Sequence, residues 1–349
     1  MNNQELIDKL QEEQILSREE FAQLIATYTP EDKAYAQKKA QKIAQKYFGN
    51  RIFFRGIIEF TNYCKNNCYY CGIRKSNLEC SRYRMSLEEI MNCCANAYDW
   101  GFRTFVLQGG EDPYYTDEKM LEIINSIHRT YPDCAITLSI GEKEHDTYQA
   151  FFEAGANRYL LRHETATKEH YEALHPTEMS FEHRMKCLDD LKKIGYQTGC
   201  GAMIGAPFQT TQTLAEDMYY MASFKPQMIG MGPFIPHQHT PFRQYAHGSV
   251  DLTIFLLSLC RIMLPTVLLP ATTALGSLDK DGRKEGVLAG CNVIMPNISP
   301  FTNRKKYTLY DNKAISGEDG GEELQVLQKH MEEIGYTLYS AKGDYISLN

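Results

Sequence analysis

Along most of the chain, short apolar runs alternate with longer stretches in which apolar positions recur every three or four residues. The short runs read as buried strands and the longer ones as amphipathic helices. Strands are expected at Phe53–Phe60, Thr104–Leu107, Ala135–Ser139, Arg158–Leu161, Gln197–Ile204, Met228–Gly232, Val267–Ala271 and Cys291–Met295. Helices are expected between them at about 87–100, 118–130, 145–154, 181–194, 211–224, 251–263 and 280–289, with a last one at about 322–334. The first fifty residues read differently, as polar helices. Ser17 and Glu20 have capping-box spacing, Thr29-Pro30 looks like an N-cap followed by proline, and the leader ends near Gly49-Asn50. Ser86 with Glu89 repeats the capping-box spacing.

Eight strands alternating with eight helices predict an α/β fold of the (β/α)8 TIM-barrel kind, with a doubly wound open sheet as the rival. No Pro/Gly/Ser-rich linker divides the chain. The expected organisation is a helical extension over residues 1–50 and one barrel domain with a C-terminal cap over 51–349. The most apolar stretch, Ile254 to Leu275, contains Arg261, Pro265 and Pro270, so neither side of it can span a bilayer. It reads as a buried helix followed by a buried strand, and no membrane association is expected.

Composition narrows the function classes. With 349 residues, 43% hydrophobic and 23% charged, the chain lies far from the composition of disorder. A net charge of −7 argues against nucleic acid as a partner. Eleven cysteines are too dilute for a disulfide scaffold, and an odd number cannot all pair. The opening MNNQELIDKL lacks the apolar core of a signal peptide, so reduced thiols in the cytoplasm are expected.

Barrels gather their chemistry where strands end. The first strand runs into Cys64-Lys-Asn-Asn-Cys68-Tyr-Tyr-Cys71, three thiols in eight residues. Iron–sulfur ferredoxins supply four cysteines, so three on a four-iron cluster leave one iron open. S-adenosylmethionine (SAM) could bind that iron through its amino and carboxylate groups and be cleaved reductively to a 5′-deoxyadenosyl radical. Tyr70, the aromatic before the third cysteine, strengthens this reading. A redox pair of Cys68 and Cys71, or a zinc knuckle recruiting Cys80, are the bland alternatives. Later strand ends add Gln108-Gly-Gly-Glu111-Asp112, Arg162-His-Glu164-Thr, Gly201-Ala-Met-Ile-Gly205, Gly232-Pro-Phe-Ile-Pro-His237 and Thr272-Thr273. Each alone fits a glycine turn, a structural ion pair or sheet packing. Together they suit a SAM-binding barrel with a polar mouth. His237 and His239 read as loop hydrogen-bonders rather than metal ligands.

The stretches RGIIEFTNYCKNNCYYCGIR, RYRMS, LQGGEDPYY, TLSIGE, RYLLRHETA, MIGAPFQT, GPFIPH, PATTALG and NVIMPN resemble the radical SAM maturases of FeFe-hydrogenase of the HydE kind over essentially the full length. Methylornithine synthase and biotin synthase share the barrel and the cysteine loop, whereas RHETA and PATTALG are closer to the maturase. The resemblance implies that Cys64, Cys68 and Cys71 hold one 4Fe–4S cluster. It implies that Glu111 takes the SAM amino group, that Tyr70, Thr137 and Ser139 help line the SAM pocket, and that Glu164 and Arg184 hold its ribose and carboxylate. Met231 would lie against the adenosine. Arg55, Gln108, Arg162, Thr272, Thr273, Tyr307 and Tyr310 match positions lining the family's substrate cavity. The implied substrate is a cysteine-bound iron carbonyl–cyanide complex whose cysteine sulfur is attacked. The implied partners are a second radical SAM maturase, a GTPase scaffold and a reductant such as flavodoxin or ferredoxin. No cysteine follows Cys291, so the second, C-terminal cluster of some members is not expected. A radical SAM amino-acid mutase and a non-catalytic metal or cluster carrier are the competing functions.

Overall fold

The computed structural model describes residues 1–315, 317 and 319–348. Strands Gly56–Thr61, Thr104–Gly109, Ala135–Ser139, Ala156–Leu160, Gln197–Cys200 and Met228–Ile229 pair in that order, every pair parallel. The ring closes through the bridges Met228↔Leu268 and Pro270↔Val293, then through Val293–Ile294 pairing with Arg51–Phe54. This is a (β/α)8 barrel, as the alternating pattern predicts, and the open-sheet rival is set aside.

Four of the expected strands are broken or reduced to bridges, each for a local reason. The first divides at Arg55 because Arg51–Phe54 pairs with the last strand while Gly56–Thr61 pairs with the second, a consequence of strand tilt. The fifth stops at Cys200 and resumes at Met203–Ile204 around Gly201, whose φ is +152°. A Cβ on Gly201 would lie 2.1 Å from the Gly230 carbonyl, so the fifth and sixth strands touch backbone to backbone there. The sixth resumes likewise at Gly232–Pro233. The seventh, expected over Val267–Ala271, makes only the two bridges at Leu268 and Pro270, because proline has no N–H for a ladder.

The outer helices follow the 3.6-residue period. Leu87–Asp99 buries Ile90, Cys93, Cys94 and Ala97, and Asp117–Thr130 buries Met120, Ile123, Ile124 and Ile127. Val250–Met263 is buried continuously from Thr253 to Met263 because it lies between the barrel and the leader helix Pro30–Phe48. No helix among the described residues is long and apolar enough to cross a membrane. The leader comprises Asn3–Glu13, Arg18–Thr27 and Pro30–Phe48, opened by capping boxes at Asn2, Ser17 and Thr29. It is tied down where Tyr28 stacks on Phe255 at 4.2 Å and Lys33 reaches Asp251 at 2.5 Å.

The C-terminal region contains elements the periodicity does not predict. A short helix, Phe301–Arg304, and the following coil to residue 315 strap the barrel mouth: Gly72 N–H donates to Leu309 O, and Asp311 N–H to Pro236 O. After helix Gly320–Glu332, strand Thr337–Tyr339 adds in parallel to Arg51–Phe53. The tail then crosses the opposite end of the barrel, where the fully buried Arg158 donates to Lys342 O at 2.8 Å and to Asp344 at 2.6 Å.

Candidate active site

At the C-terminal ends of the strands lies a cavity of about 360 Å³, roofed by the strap. Inward-facing positions alternate along each strand, so Ile57 and Glu59, Gln108, Ser139, Leu160 and Arg162 contribute to its wall. The cysteine loop forms one side. Its shape is fixed by backbone bonds from Lys65 N–H to Glu111 O (2.8 Å), Lys75 N–H to Asn66 O (2.8 Å) and Tyr69 N–H to Leu174 O (3.0 Å). Gly110 allows the next loop to approach: a Cβ there would meet Tyr63 O at 2.2 Å and Cys64 Cβ at 2.7 Å.

Cys64, Cys68 and Cys71 are free, half-buried thiols lining this cavity together. Burial pushes all three up, Cys71 to about 12, and the charge of neighbouring thiols adds to this at Cys68 and Cys71. Such a set holds thiolates only beside a compensating positive centre, which iron supplies. Cys80 does not join them; its sulfur accepts from Asn62 Nδ2 at 3.5 Å. No three His, Cys, Asp or Glu side chains among the described residues converge on a single ion. With Cys80 held apart, the three cavity thiols are one ligand short of a zinc knuckle and fit a cluster that leaves one iron to another ligand.

Glu111 lies beside the loop, its Oε1 accepting Glu142 N–H and its Oε2 pairing with Lys65, each at 3.1 Å. Gly141 makes room for it. Arg184 is buried and donates to Glu142 at 2.5 Å and to Arg162 O at 2.7 Å; burial opposes its charge, but Tyr171 and Glu142 beside it outweigh burial and hold it charged. Glu164 has a left-handed backbone (φ +65°), and its Oε2 faces Arg162 Nη2 at 3.0 Å, a close ion pair without hydrogen-bond geometry. Arg162 Nε and Thr272 Oγ1 are also buried without hydrogen-bond partners. Thr273 accepts from Arg283 at 3.3 Å. Tyr70 donates to His175 Nε2 at 3.1 Å, while the other ring nitrogen of His175 faces Tyr171 O. Burial drives His175 down to about 3, so the ring is neutral. Gln108, Tyr307 and Tyr310 complete this wall, and burial raises Tyr310 to about 12.

The structure thus brings Cys64, Cys68, Cys71, Tyr70, Gln108, Glu111, Ser139, Arg162, Glu164, Arg184, Thr272, Thr273, Tyr307 and Tyr310 to one cavity. Three expected residues do not line it. Arg55 faces inward two steps below Glu59, at the tail-covered end, where it donates to Met228 Sδ at 3.2 Å and Gly343 O at 3.3 Å. Thr137 lies one step below Ser139, buried with its hydroxyl unpartnered. Met231 falls in the break of the sixth strand and packs into the main core. His237 accepts from His239 N–H at 3.1 Å, a loop role.

Sequence reasoning missed Glu59 and Lys313, an ion pair on the cavity wall, and Glu142, which orients Arg184. Glu59 had a signal: a carboxylate in the otherwise apolar run Gly56-Ile-Ile-Glu-Phe60 must face something special. Lys313, in the strap, had none.

The Radical SAM superfamily profile matches residues 58–219. The HydE subunit of the [FeFe] hydrogenase maturase from Thermotoga maritima is 39% identical over 96% of this chain and 95% of its own. The 3-methylornithine synthase of Methanosarcina acetivorans is 28% identical over 92% of this chain and 89% of its own. The crystal structure of methylornithine synthase PylB superposes with a TM-score of 0.84 at 27% identity, covering 96% of this chain and 97% of that one. Enzymes of this family bind a 4Fe–4S cluster and SAM, and the cavity offers the matching thiols and polar groups. The chain belongs to the HydE family of [FeFe]-hydrogenase maturases, radical SAM enzymes built on a (β/α)8 barrel.

Proposed function

We propose that this chain acts on a cysteine-bound iron carbonyl–cyanide complex during assembly of the hydrogenase cofactor. Cys64, Cys68 and Cys71 would hold the one cluster, leaving an iron for SAM. Glu111 would accept from the SAM amino group, with Tyr70 and Ser139 lining its pocket and Glu164 and Arg184 at its ribose and carboxylate. The bound pair would supply a 5′-deoxyadenosyl radical inside this cavity. Arg162, Thr272 and Thr273 would orient the substrate so that its cysteine sulfur is the atom presented. Arg55, Thr137 and Met231 would act from below the cavity or from the core. The leader over residues 1–50 would be an extension of one barrel domain rather than a second catalytic unit. A second radical SAM maturase would deliver the substrate, a GTPase scaffold would take the product, and flavodoxin or ferredoxin would reduce the cluster in the cytoplasm.

The observation that carries this reading is the convergence of the cysteine loop with unsatisfied buried groups on Arg162 and Thr272 in one roofed cavity. Those groups need a polar ligand. In a reconstituted maturation mixture, hydrogenase activity is expected only when this chain is present. Thr272→Val is expected to lower activation while still yielding 5′-deoxyadenosine. Full activation in the chain's absence would refute the maturase role. The likeness to methylornithine synthase supports a second reading, rearrangement of an amino acid. Turnover of lysine without any effect on hydrogenase would select it.

A further inference from the structure

Arg162 and Glu164 line the cavity, whereas His163 between them turns the other way, as side chains alternate along a strand end. His163 is fully buried behind the wall, against helix Thr211–Phe224. Its Nδ1 accepts the Gly201 N–H at 3.2 Å. Its Nε2 faces Asp217 Oδ1 at 3.5 Å, and the Tyr220 ring lies 4.9 Å from its own. A backbone N–H can only donate, so Nδ1 carries no proton and the ring proton sits on Nε2, toward the Asp217 carboxylate. Asp217, itself buried, also accepts Ala166 N–H through Oδ1 at 2.5 Å. From one helix, Asp217 therefore holds the segment after the fourth strand at two points, residues 163 and 166.

The far end of this chain of contacts is Gly201, gripped on both backbone groups: its N–H by His163 and its carbonyl by Glu164 N–H at 3.0 Å. The Gly230 backbone presses on Gly201 from the other side, which makes it a firm anchor. Glu164 holds a left-handed backbone (φ +65°), which a non-glycine residue keeps only where its surroundings fix it. Apolar packing would join a helix to the barrel without desolvating a carboxylate. What the Asp217–His163 pair adds is direction. We propose that His163, oriented by Asp217, is a positioning residue for SAM: by gripping Gly201 it sets the Glu164 backbone, and so aims the carboxylate that Glu164 presents to the ribose. The inference rests on the reading of Glu164 as a SAM ligand and adds the residues that aim it.

The test measures equilibrium SAM binding to the cluster-reconstituted protein without reductant. Two amides separate the roles of the two ring nitrogens. In His163→Asn the side-chain oxygen falls near the Nδ1 position and can still accept from Gly201. In His163→Gln the amide reaches the Nε2 position and leaves the Gly201 N–H without an acceptor. Both variants are expected to lose thermal stability. Only His163→Gln is expected to lose SAM affinity, by roughly 10-fold, the scale of one hydrogen bond to a charged group. Because His163 acts through Glu164, adding His163→Gln to Glu164→Gln is expected to weaken SAM no further. Iron content reports whether each variant carries its cluster. If His163→Gln does not, Asp217→Asn takes its place in the same cycle, with weaker SAM binding expected and no loss beyond that of Glu164→Gln. Wild-type affinity in His163→Gln, equal losses in the two amide variants, or additive losses in the double variant overturn the proposal. Wild-type affinity in Glu164→Gln removes the ribose assignment and this proposal together. A weakened Glu164→Gln beside an unaffected His163→Gln removes this proposal alone.

Discussion

Gly141 offers the sharpest test of how the SAM-facing wall is built. It sits after the third strand with φ +79°, and an added Cβ would lie 2.2 Å from both Cγ and Oε1 of Glu111. Two effects follow in Gly141→Ala. The left-handed backbone costs an L side chain about 1–2 kcal/mol, which lowers thermal stability by a few degrees. The methyl also forces the Glu111 carboxylate back by about 1 Å, given ordinary van der Waals separations. A hydrogen bond at typical length does not survive that displacement. Losing one bond to a charged group, worth about 1.5–3 kcal/mol, corresponds to roughly 10–150-fold weaker SAM binding. Equilibrium SAM binding to the reconstituted variant measures this, with iron content as the control because no cysteine is touched. Glu111→Gln should weaken SAM without the backbone penalty. A folded Gly141→Ala protein with full iron and wild-type SAM affinity would refute the assignment of Glu111 to SAM.

Further expectations follow from the burial and pairing described above. His175, buried beside Tyr70, Tyr171, His170 and Arg184, falls from 6.5 to about 3, so the unfolded chain binds a proton there that the folded chain refuses. Stability therefore declines as pH drops below about 6.5, by about 2 kcal/mol at pH 5 from this group, and His175→Gln should flatten that slope in urea titrations. Asp344→Ala removes the carboxylate partner of the fully buried Arg158 and should cost about 1–3 kcal/mol in the same assay; an unchanged midpoint would show that the tail does not secure the barrel end. Cys80→Ser should retain the full iron count, since its sulfur lies apart from the three cavity thiols; loss of iron would reinstate Cys80 as a ligand.

The barrel was legible because most strands and outer helices obey their own period, and the capping-box spacing at Ser17 and Ser86 and the N-cap at Thr29 marked helix starts correctly. The boundaries that failed are those where tertiary contact overrides local pattern. Gly201 breaks a strand because another backbone presses on it, and Pro270 supports a bridge where a ladder was expected. The strand Thr337–Tyr339 has no apolar alternation to announce it; it forms because Arg51–Phe53 presents an open edge. The cysteine loop was legible from spacing alone. The remaining wall residues came from motif likeness, and the roof over them depends on where a patternless strap settles, which is why Lys313 was invisible. Arg55 and Met231 show the opposite limit: matching a family position does not tell which barrel layer, or which side of a broken strand, a side chain occupies.

The central claim is that three thiolates and a SAM pocket make this chain a radical enzyme. The direct measurement is 5′-deoxyadenosine formed by the anaerobically reconstituted protein with SAM and dithionite, compared between wild type and Cys68→Ala. The account predicts 5′-deoxyadenosine from the wild type and none above background from the variant. Equal yields from the two, or none from a wild type carrying its four irons, would contradict it.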